Sequence, residues 1–350
     1  FIGIAPRTNL FIFSVIFILL EFFWRRYFNK LVINVLPKIK VLLIGNDGGA
    51  LEIYKFLATN PQLGYEIVKF WKINEIPSDL KSLNSWKKII FENEINLIVV
   101  PFAFKKDLNF SKIFYELLAA GQIIYDLPYF YELVFKKIPL SEINEEWFLD
   151  KIINQEKFYD KLKNFFEFIL ALFLGMVLLP LEILIAILIK LNSKGPIIYK
   201  QIRVGKNNKE FVLYKFRTMI VDAEKDGPKW KTSGTFDPRL TFIGRILVRT
   251  HLDELPQLIN VLKGNISFVG PRPERPEFVK ILEEKIPFYN IRHLVRPGIT
   301  GWAQINYKYG ASIEDTYEKL QYDLYYLKNR SIVLDLGIIL KTLKNFFINN

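Results

Sequence analysis

The sequence predicts an α/β protein in two parts: a parallel-sheet domain, then a mostly helical, membrane-associated domain with a re-entrant helix and a β-hairpin. Three observations predict it. Short apolar runs alternate with helical stretches between residues 38 and 150, the pattern of a parallel sheet with crossover helices. A long apolar segment, Phe168 to Ile189, is interrupted by Pro180 and Glu182 and has lysines on both flanks. Beyond Gly195-Pro196, two strand-like runs, Ile197 to Val204 and Glu210 to Met219, flank the polar turn Gly205-Lys206-Asn207-Asn208-Lys209.

Taken in order, the first segment is Leu10 to Trp24, apolar apart from Ser14 and Glu21 and followed by Arg25-Arg26. A secretory signal carries its positive charge mainly before the apolar core and a small-residue cleavage site after it. Here the charge follows, and the positive-inside rule puts the chain after Trp24 in the cytoplasm. The segment is short of the roughly 20 residues of a full span. It is expected to be the last helix of a truncated transmembrane module, residues 1–30, with the natural N-terminus before Phe1.

Residues 38–150 form the first folded domain. Val41-Leu42-Leu43-Ile44 reads as a short buried strand, followed by Gly45-Asn46-Asp47-Gly48-Gly49 and a helical stretch from Ala50 to Thr59. Further strands are expected at Ile95 to Val100, after a helix around Trp86 to Asn93, and at Gln122 to Tyr125, after a helix ending at Gly121. The glycine cluster is G-x-x-G-G and not G-x-G-x-x-G, so the dinucleotide fingerprint is not met. In a Rossmann-like domain the plainer reading is a tight strand-to-helix turn with no retained cofactor; functional nucleotide binding is the other. The pattern stops near Leu149 to Asp160, where charge rises.

The Phe168 to Ile189 segment lies between Lys161 and Lys163 on one side and Lys190 and Lys194 on the other. A straight span carries unequal basic flanks, and Pro180 removes a backbone hydrogen bond and opposes a straight helix. Both point to a helix over about residues 165–190 that enters the bilayer and returns to the same face, its freed backbone groups met within the protein. A straight span kinked at the proline is the alternative. Near the C-terminus Ile332, Val333, Leu336, Ile339, Leu340, Leu343 and Phe347 fall at helical spacing, interrupted by Lys341 and Lys344. That pattern fits an interfacial helix on anionic lipid and a packed terminal helix equally.

Composition narrows the chemistry. The chain has no cysteine, which removes disulfides, thiolate nucleophiles and thiolate metal sites. Its formal charge of +12 suits nucleic acid, anionic lipid or phosphorylated small substrates. Lysine and arginine are spread along the chain rather than gathered in one arm, so no nucleic-acid partner is expected.

Four clusters in the polar half could carry chemistry: Lys215-Phe216-Arg217-Thr218-Met219; Asp237-Pro238-Arg239 with Gly244-Arg245 and Arg249; His251-Leu252-Asp253-Glu254; and Gly270-Pro271-Arg272-Pro273-Glu274-Arg275, leading to Arg292 and Arg296. Arginine beside proline and glycine suits rigid loops that fork onto phosphate oxygens. The Asp253-Glu254 pair could supply a nucleophile, a metal ligand or a general base, and as an isolated motif it equally suits a solvated helix start. His251 and His293 are expected to be structural or surface residues, because nothing near them in sequence completes a metal set.

From about Lys161 to Asn345 these motifs resemble the bacterial sugar transferase family, the monotopic polyprenyl-phosphate phosphoglycosyl transferases. The resemblance rests on the apolar segment with Pro180, Arg203-Val204-Gly205, Tyr214 to Met219, Leu252 to Leu258, Asn260 to Gly264, Ser267 to Pro273, and Arg296 to Asn306. The upstream part is similar to the larger members, which place transmembrane helices and a Rossmann-like domain before the catalytic part, here residues 160–350. The resemblance implies an enzyme of the bacterial inner membrane, its catalytic domain on the cytoplasmic face. It would move a sugar-1-phosphate from a UDP-sugar to undecaprenyl phosphate and release UMP, the initiating step of surface polysaccharide or glycoconjugate synthesis. Asp253 matches the family's nucleophile and Glu254 the second member of the dyad, with Mg²⁺ as the implied cofactor held by both. Arg272 is the leading candidate for neutralising substrate phosphate, with Lys215, Arg217 and Arg249 beside it. Membrane lipid is an implied partner, and a homo-oligomer is compatible with the sequence. Two positions depart from the family pattern: Leu179 stands where relatives often carry serine before the helix-breaking proline, and Glu167 where they commonly carry aspartate. The competing readings are a membrane-anchored glycosyltransferase that releases UDP, and a membrane-tethered nucleotide sensor built on the αβ domain.

Overall fold

The computed structural model describes residues 6–35, 37–75, 83–105, 107–152, 157–221, 223, 237–307, 310 and 312–348. Phe1, part of the predicted boundary at Leu149 to Asp160, and Asp222 lie outside them. The described residues fall into two compact units, one reaching Phe135 and including Ser141–Ile143, the other formed by Lys136–Leu140 and the chain from Asn144 onward.

The first unit begins with helix α1 (Pro6–Val35), whose stretch Thr8–Phe28 is long and apolar enough to cross a membrane. None of that stretch is buried by the protein. Then follow β1 (Ile39–Ile44), α2 (Gly49–Thr59), β2 (Tyr65–Trp71), α3 (Leu83–Glu92), β3 (Leu97–Val100), α4 (Leu108–Ala119), β4 (Ile123–Asp126) and α5 (Leu127–Phe135). The strands form a wholly parallel sheet in the order β2-β1-β3-β4. Successive residues of a strand point to opposite faces, and β1 buries both. Leu42 and Ile44 join Trp86, Ile98, Val100, Phe114 and Leu117 on the α3–α4 side. Val41 and Leu43 join Ala50, Ile53, Leu97, Val99 and Phe130 on the α2–α5 side. Strands covered on both faces read as continuous apolar runs, which is why β1 and β3 were legible. Edge strand β2, with Glu66 and Lys69 interleaved and one side half open, was not anticipated.

The second unit carries α6 (Glu145–Lys151), α7 (Lys157–Asn192), the antiparallel hairpin β5 (Ile198–Val204) and β6 (Glu210–Phe216), then α8 (Phe242–Arg249), α9 (Gln257–Leu262) and β7 (Ser267–Val269). It ends with α10 (Pro276–Lys285), β8 (Gly298–Thr300), α11 (Trp302–Asn306), α12 (Ile313–Asn329) and α13 (Ile332–Ile348). Helix α7 is assigned continuously through Pro180. One stripe of it, Ala171, Leu174, Leu178, Leu181, Ile185 and Ile189, faces the unit's own core at helical spacing. Ala171 packs in the cluster of Leu213, Leu258 and Val261, and Ile185 and Ile189 in that of Phe216 and Leu247. Most of the other apolar side chains of α7 are exposed, with Phe173, Met176, Val177 and Leu184 among the residues more than half exposed. Only 11 % of its apolar window is buried, unlike the core helix of a water-soluble fold. Helix α13 divides in the same way: Ile338 is fully buried beside Val269 and Tyr326, while Val333, Leu336 and Leu340 are exposed.

Candidate active site

The Asp253-Glu254 pair sits in a single 3₁₀ turn, Leu252–Glu254, between α8 and α9. The turn starts at His251, whose φ of 55° lies in the left-handed region that a non-glycine residue seldom adopts. Asp253 is 8 % exposed. Two cations meet the pair. Lys215 Nζ, from β6, lies 2.6 Å from Glu254 Oε1 and 3.8 Å from Asp253 Oδ2. Arg272 Nη2, from the loop after β7, lies 3.0 Å from the same Glu254 oxygen. A cleft lined by Arg203, Lys215, Gln257 and Arg272 opens beside them.

The electrostatics separate the two acids. Burial pushes the Glu254 carboxyl up, but Arg272 and Lys215 outweigh it and hold the group well below the usual carboxylate range. Burial also raises Asp253; Lys215 opposes it, while the neighbouring Glu254 anion adds to it, so the Asp253 carboxyl ends above its ordinary value. Glu254 is therefore a fixed anion locked between two cations. Asp253 accepts no hydrogen bond among the described residues and has Lys215 Nζ at 3.8 Å.

The strand that delivers Lys215 is held from the dyad's own side. Asn260, on α9 and fully buried, donates to Val212 O at 2.7 Å and accepts from Tyr214 N at 3.0 Å. An amide side chain thus ties β6 to the helix that follows the dyad. The Arg272 loop is fixed by a close crossing: Gly298 N donates to Pro271 O and Gly270 N to Thr300 O, each at 2.9 Å. A Cβ on Gly298 would lie 2.1 Å from Gly270 N, so the crossing requires glycine there.

Not every predicted residue converges. Arg217 is 6 % exposed and forks onto Ser193 O (2.8 Å), Ser193 Oγ (2.6 Å) and Lys194 O (2.9 Å). It holds the backbone of the two residues that follow α7, so its guanidinium is committed there, while Lys215, two residues earlier, reaches the dyad. Arg249 is exposed in the last turn of α8, and no contact joins it to the dyad. His293 is buried with Nδ1 against Asn208 in the hairpin turn. Glu167, the departure from the family pattern, accepts from Ser267 Oγ, Phe268 N and Arg296, tying α7 to β7. In the first unit, the Gly45–Gly49 turn presents the N-terminus of α2 to the protein's own Glu142, whose Oε1 accepts from Gly49 N at 3.1 Å. Sequence reasoning assigned no individual role to Asn260 or Arg203, and read Arg292 only as one member of an arginine-rich cluster; the signal was a polar side chain inside an apolar or motif-dense run.

A buried acid pair with Lys215 and Arg272 against its second member, in a unit that also carries a long, exposed apolar helix, fits a membrane-associated class of protein. The family model of bacterial sugar transferases matches residues 158–349, more than half of the chain, and the chain belongs to that family. Among curated relatives, the UDP-N-acetylgalactosamine-undecaprenyl-phosphate N-acetylgalactosaminephosphotransferase of Aeromonas hydrophila is 47% identical over 165 residues, 47% of this chain and 38% of the relative. The undecaprenyl-phosphate glucose phosphotransferase of Komagataeibacter xylinus is 44% identical over 187 residues, 52% of this chain and 35% of the relative. An exopolysaccharide production protein of Rhizobium leguminosarum bv. phaseoli is 43% identical over 187 residues, covering 52% of this chain and 92% of the relative. The matched part of the chain spans less than half the length of the first two relatives.

Proposed function

We propose that the chain transfers a sugar-1-phosphate from a UDP-sugar to undecaprenyl phosphate, giving undecaprenyl-diphosphate sugar and UMP. The observation that carries this reading is the division of labour in the dyad. Glu254 is neutralised in place, while Asp253 is buried, free of hydrogen bonds among the described residues, and next to Lys215. Asp253 Oδ attacks the sugar-linked phosphorus; the bond from that phosphorus to the oxygen bridging to UMP breaks, and UMP leaves with the electron pair. An oxygen of undecaprenyl phosphate then attacks the same phosphorus and displaces Asp253, which returns as the carboxylate. Both steps bring an anion to an anion, so Lys215 and Arg272 are needed to offset the repulsion. Surface-polysaccharide initiation is the corresponding biological role, and the names of the relatives support it.

Mg²⁺ is the ion this reading calls for. Asp253 and Glu254 would offer it hard carboxylate oxygens, with substrate phosphate and water completing its shell. When bound, the ion supplies charge neutralisation at the diphosphate.

The reading extends to the membrane. The sheet of the first unit is of Rossmann-like character, with its glycine turn a structural turn, since Glu142 meets the α2 N-terminus. Helix α7 is re-entrant from the cytoplasmic face of the inner membrane. Its support is the core-facing stripe, which runs along both sides of Pro180 against β6, α8 and α9. A straight crossing would carry one end of that stripe away from the elements that share its cores.

The test is nucleotide release from solubilised protein given Mg²⁺, undecaprenyl phosphate and a panel of UDP-sugars. UMP is expected, with multiple turnovers dependent on the lipid, and Asp253→Asn is expected to lower the rate by at least about 10³-fold. UDP as the product would establish the glycosyltransferase reading instead.

A further inference from the structure

The loop that carries Arg272 is held carbonyl by carbonyl. Val269 O accepts from Lys163 Nζ at 2.8 Å and Tyr326 OH at 3.0 Å. Pro271 O accepts from Gly298 N, Arg272 O from Arg292 Nη2 and Glu274 O from Val204 N, each at 2.9 Å. Pro273 O accepts from Arg203 Nη1 at 2.8 Å. Side-chain guanidinium groups thus hold two consecutive carbonyls, those of Arg272 and Pro273.

Arg292 is the more unusual of the two. It is 6 % exposed and lies 2.8 Å from the carboxylate of Asp323, on α12, which is 2 % exposed. Its Nη1 donates to Tyr289 OH at 2.7 Å. A buried ion pair contributes little net stability compared with an apolar pair of similar volume, so what it supplies is fixed geometry. Here the fixed geometry ends on the peptide carbonyl of the residue whose side chain touches Glu254.

Resting on the reading that Arg272 neutralises substrate phosphate, we infer that Arg292, aimed by Asp323, is a positioning residue that sets the reach of Arg272 toward the dyad. It touches neither Asp253 nor Glu254 and acts only through the backbone of Arg272. The Arg272–Glu254 contact is a single 3.0 Å approach. A displacement of about 1 Å in such a contact is enough to cost two orders of magnitude in rate. Lysine at 292 keeps a charge for Asp323 but has one ammonium where arginine has a planar fork, so it cannot serve Asp323, Tyr289 and the Arg272 carbonyl together.

The experiment is a double-mutant cycle on the full chain in lipid nanodiscs with Arg292→Lys, Arg272→Lys and the double variant, reading UMP release and, separately, the dissociation constant of UDP. Thermal unfolding checks that each variant is folded. Arg292→Lys is expected to lower kcat about tenfold with KM for the UDP-sugar changed less than about threefold. In the Arg272→Lys background the same change is expected to cost less than about twofold, because the group it positions is already gone. UDP affinity should follow the same non-additive pattern. Equal losses in both backgrounds, or wild-type kcat in folded Arg292→Lys, would overturn the inference. Where Arg292→Lys does not fold, Asp323→Glu, which keeps the ion pair while displacing the guanidinium, is run through the same cycle. A wild-type chain that binds UDP but releases no UMP sinks the phosphosugar reading alone, and the affinity cycle still decides the positioning claim.

Discussion

His293 illustrates how a residue without a catalytic part leaves a measurable signature. Its Nδ1 pairs with Asn208 Oδ1, so the ring donates there, and its Nε2 is buried with no partner among the described residues. Burial, with the Arg292 charge nearby, pulls the imidazole down to about 3. The free chain protonates near 6.5. Between those values the unfolded state binds a proton that the folded state refuses, so stability rises with pH across that window and is lost as the pH falls through it. From pH 6.5 to pH 5 this one ring is expected to cost about 2 kcal/mol. The measurement is the thermal midpoint of wild type and His293→Gln at pH 7 and pH 5. The variant should lose less on acidification, and parallel losses would mean that the ring titrates normally in the fold.

At the scale of elements, helix α8 is seated by an absence. Gly244 lies against the carbonyl of Thr218 just beyond the hairpin, where an added Cβ would sit 1.9 Å from that oxygen. Thr241 N donates to the same carbonyl at 3.0 Å, so the acceptor cannot move aside without losing the cap of α8. Gly244→Ala is expected to destabilise the second unit by about 3 kcal/mol, read as a lowered thermal midpoint and faster proteolysis. Because α8 leads directly into the His251 turn, activity should fall with it. Much at this scale was legible in the sequence. The apolar runs of β1, β3 and β4, the hairpin turn at Gly205 to Lys209 and the apolar body of α7 are local signals, and each appears where its pattern lies, although α7 begins at Lys157, ahead of the expected start near residue 165. The parallel pair β7–β8 was not legible, because three-residue strands about thirty positions apart carry no periodicity. The site divides likewise. Asp253, Glu254, Lys215 and Arg272 announce themselves by type and by order along the chain. The contacts of Arg217 were not legible, because a guanidinium forked onto backbone carbonyls and one forked onto phosphate look alike in sequence. Asn260 and Asp323 went unread, and Arg292 was read only as part of a cluster, because the partner each meets is 20 to 48 residues away.

For the whole molecule, the question is how a chain with a net charge of +12 and two exposed apolar helices meets a bilayer. Lys161, in the second turn of α7, and Lys194, just past its last residue, flank its apolar stretch and both are exposed, so each needs water or lipid headgroups at its own end. A straight crossing would place them on opposite sides and carry the hairpin and the dyad away from Lys161. The packing of α7 argues otherwise. Ala171, in its first half, shares a core with Leu213 of β6, and Ile185 and Ile189, in its second, share one with Phe216 of the same strand. The cores that the two halves of the helix join thus each include a residue of one seven-residue strand, three positions apart. The absence of cysteine makes the topology directly testable. In sealed inverted membrane vesicles, Lys161→Cys and Lys194→Cys introduced singly should both react with a membrane-impermeant maleimide added to the cytoplasmic face, and neither should react in right-side-out spheroplasts. Labelling of one position from each side would establish a straight span and would require the packing of α7 on β6 to be undone in the membrane.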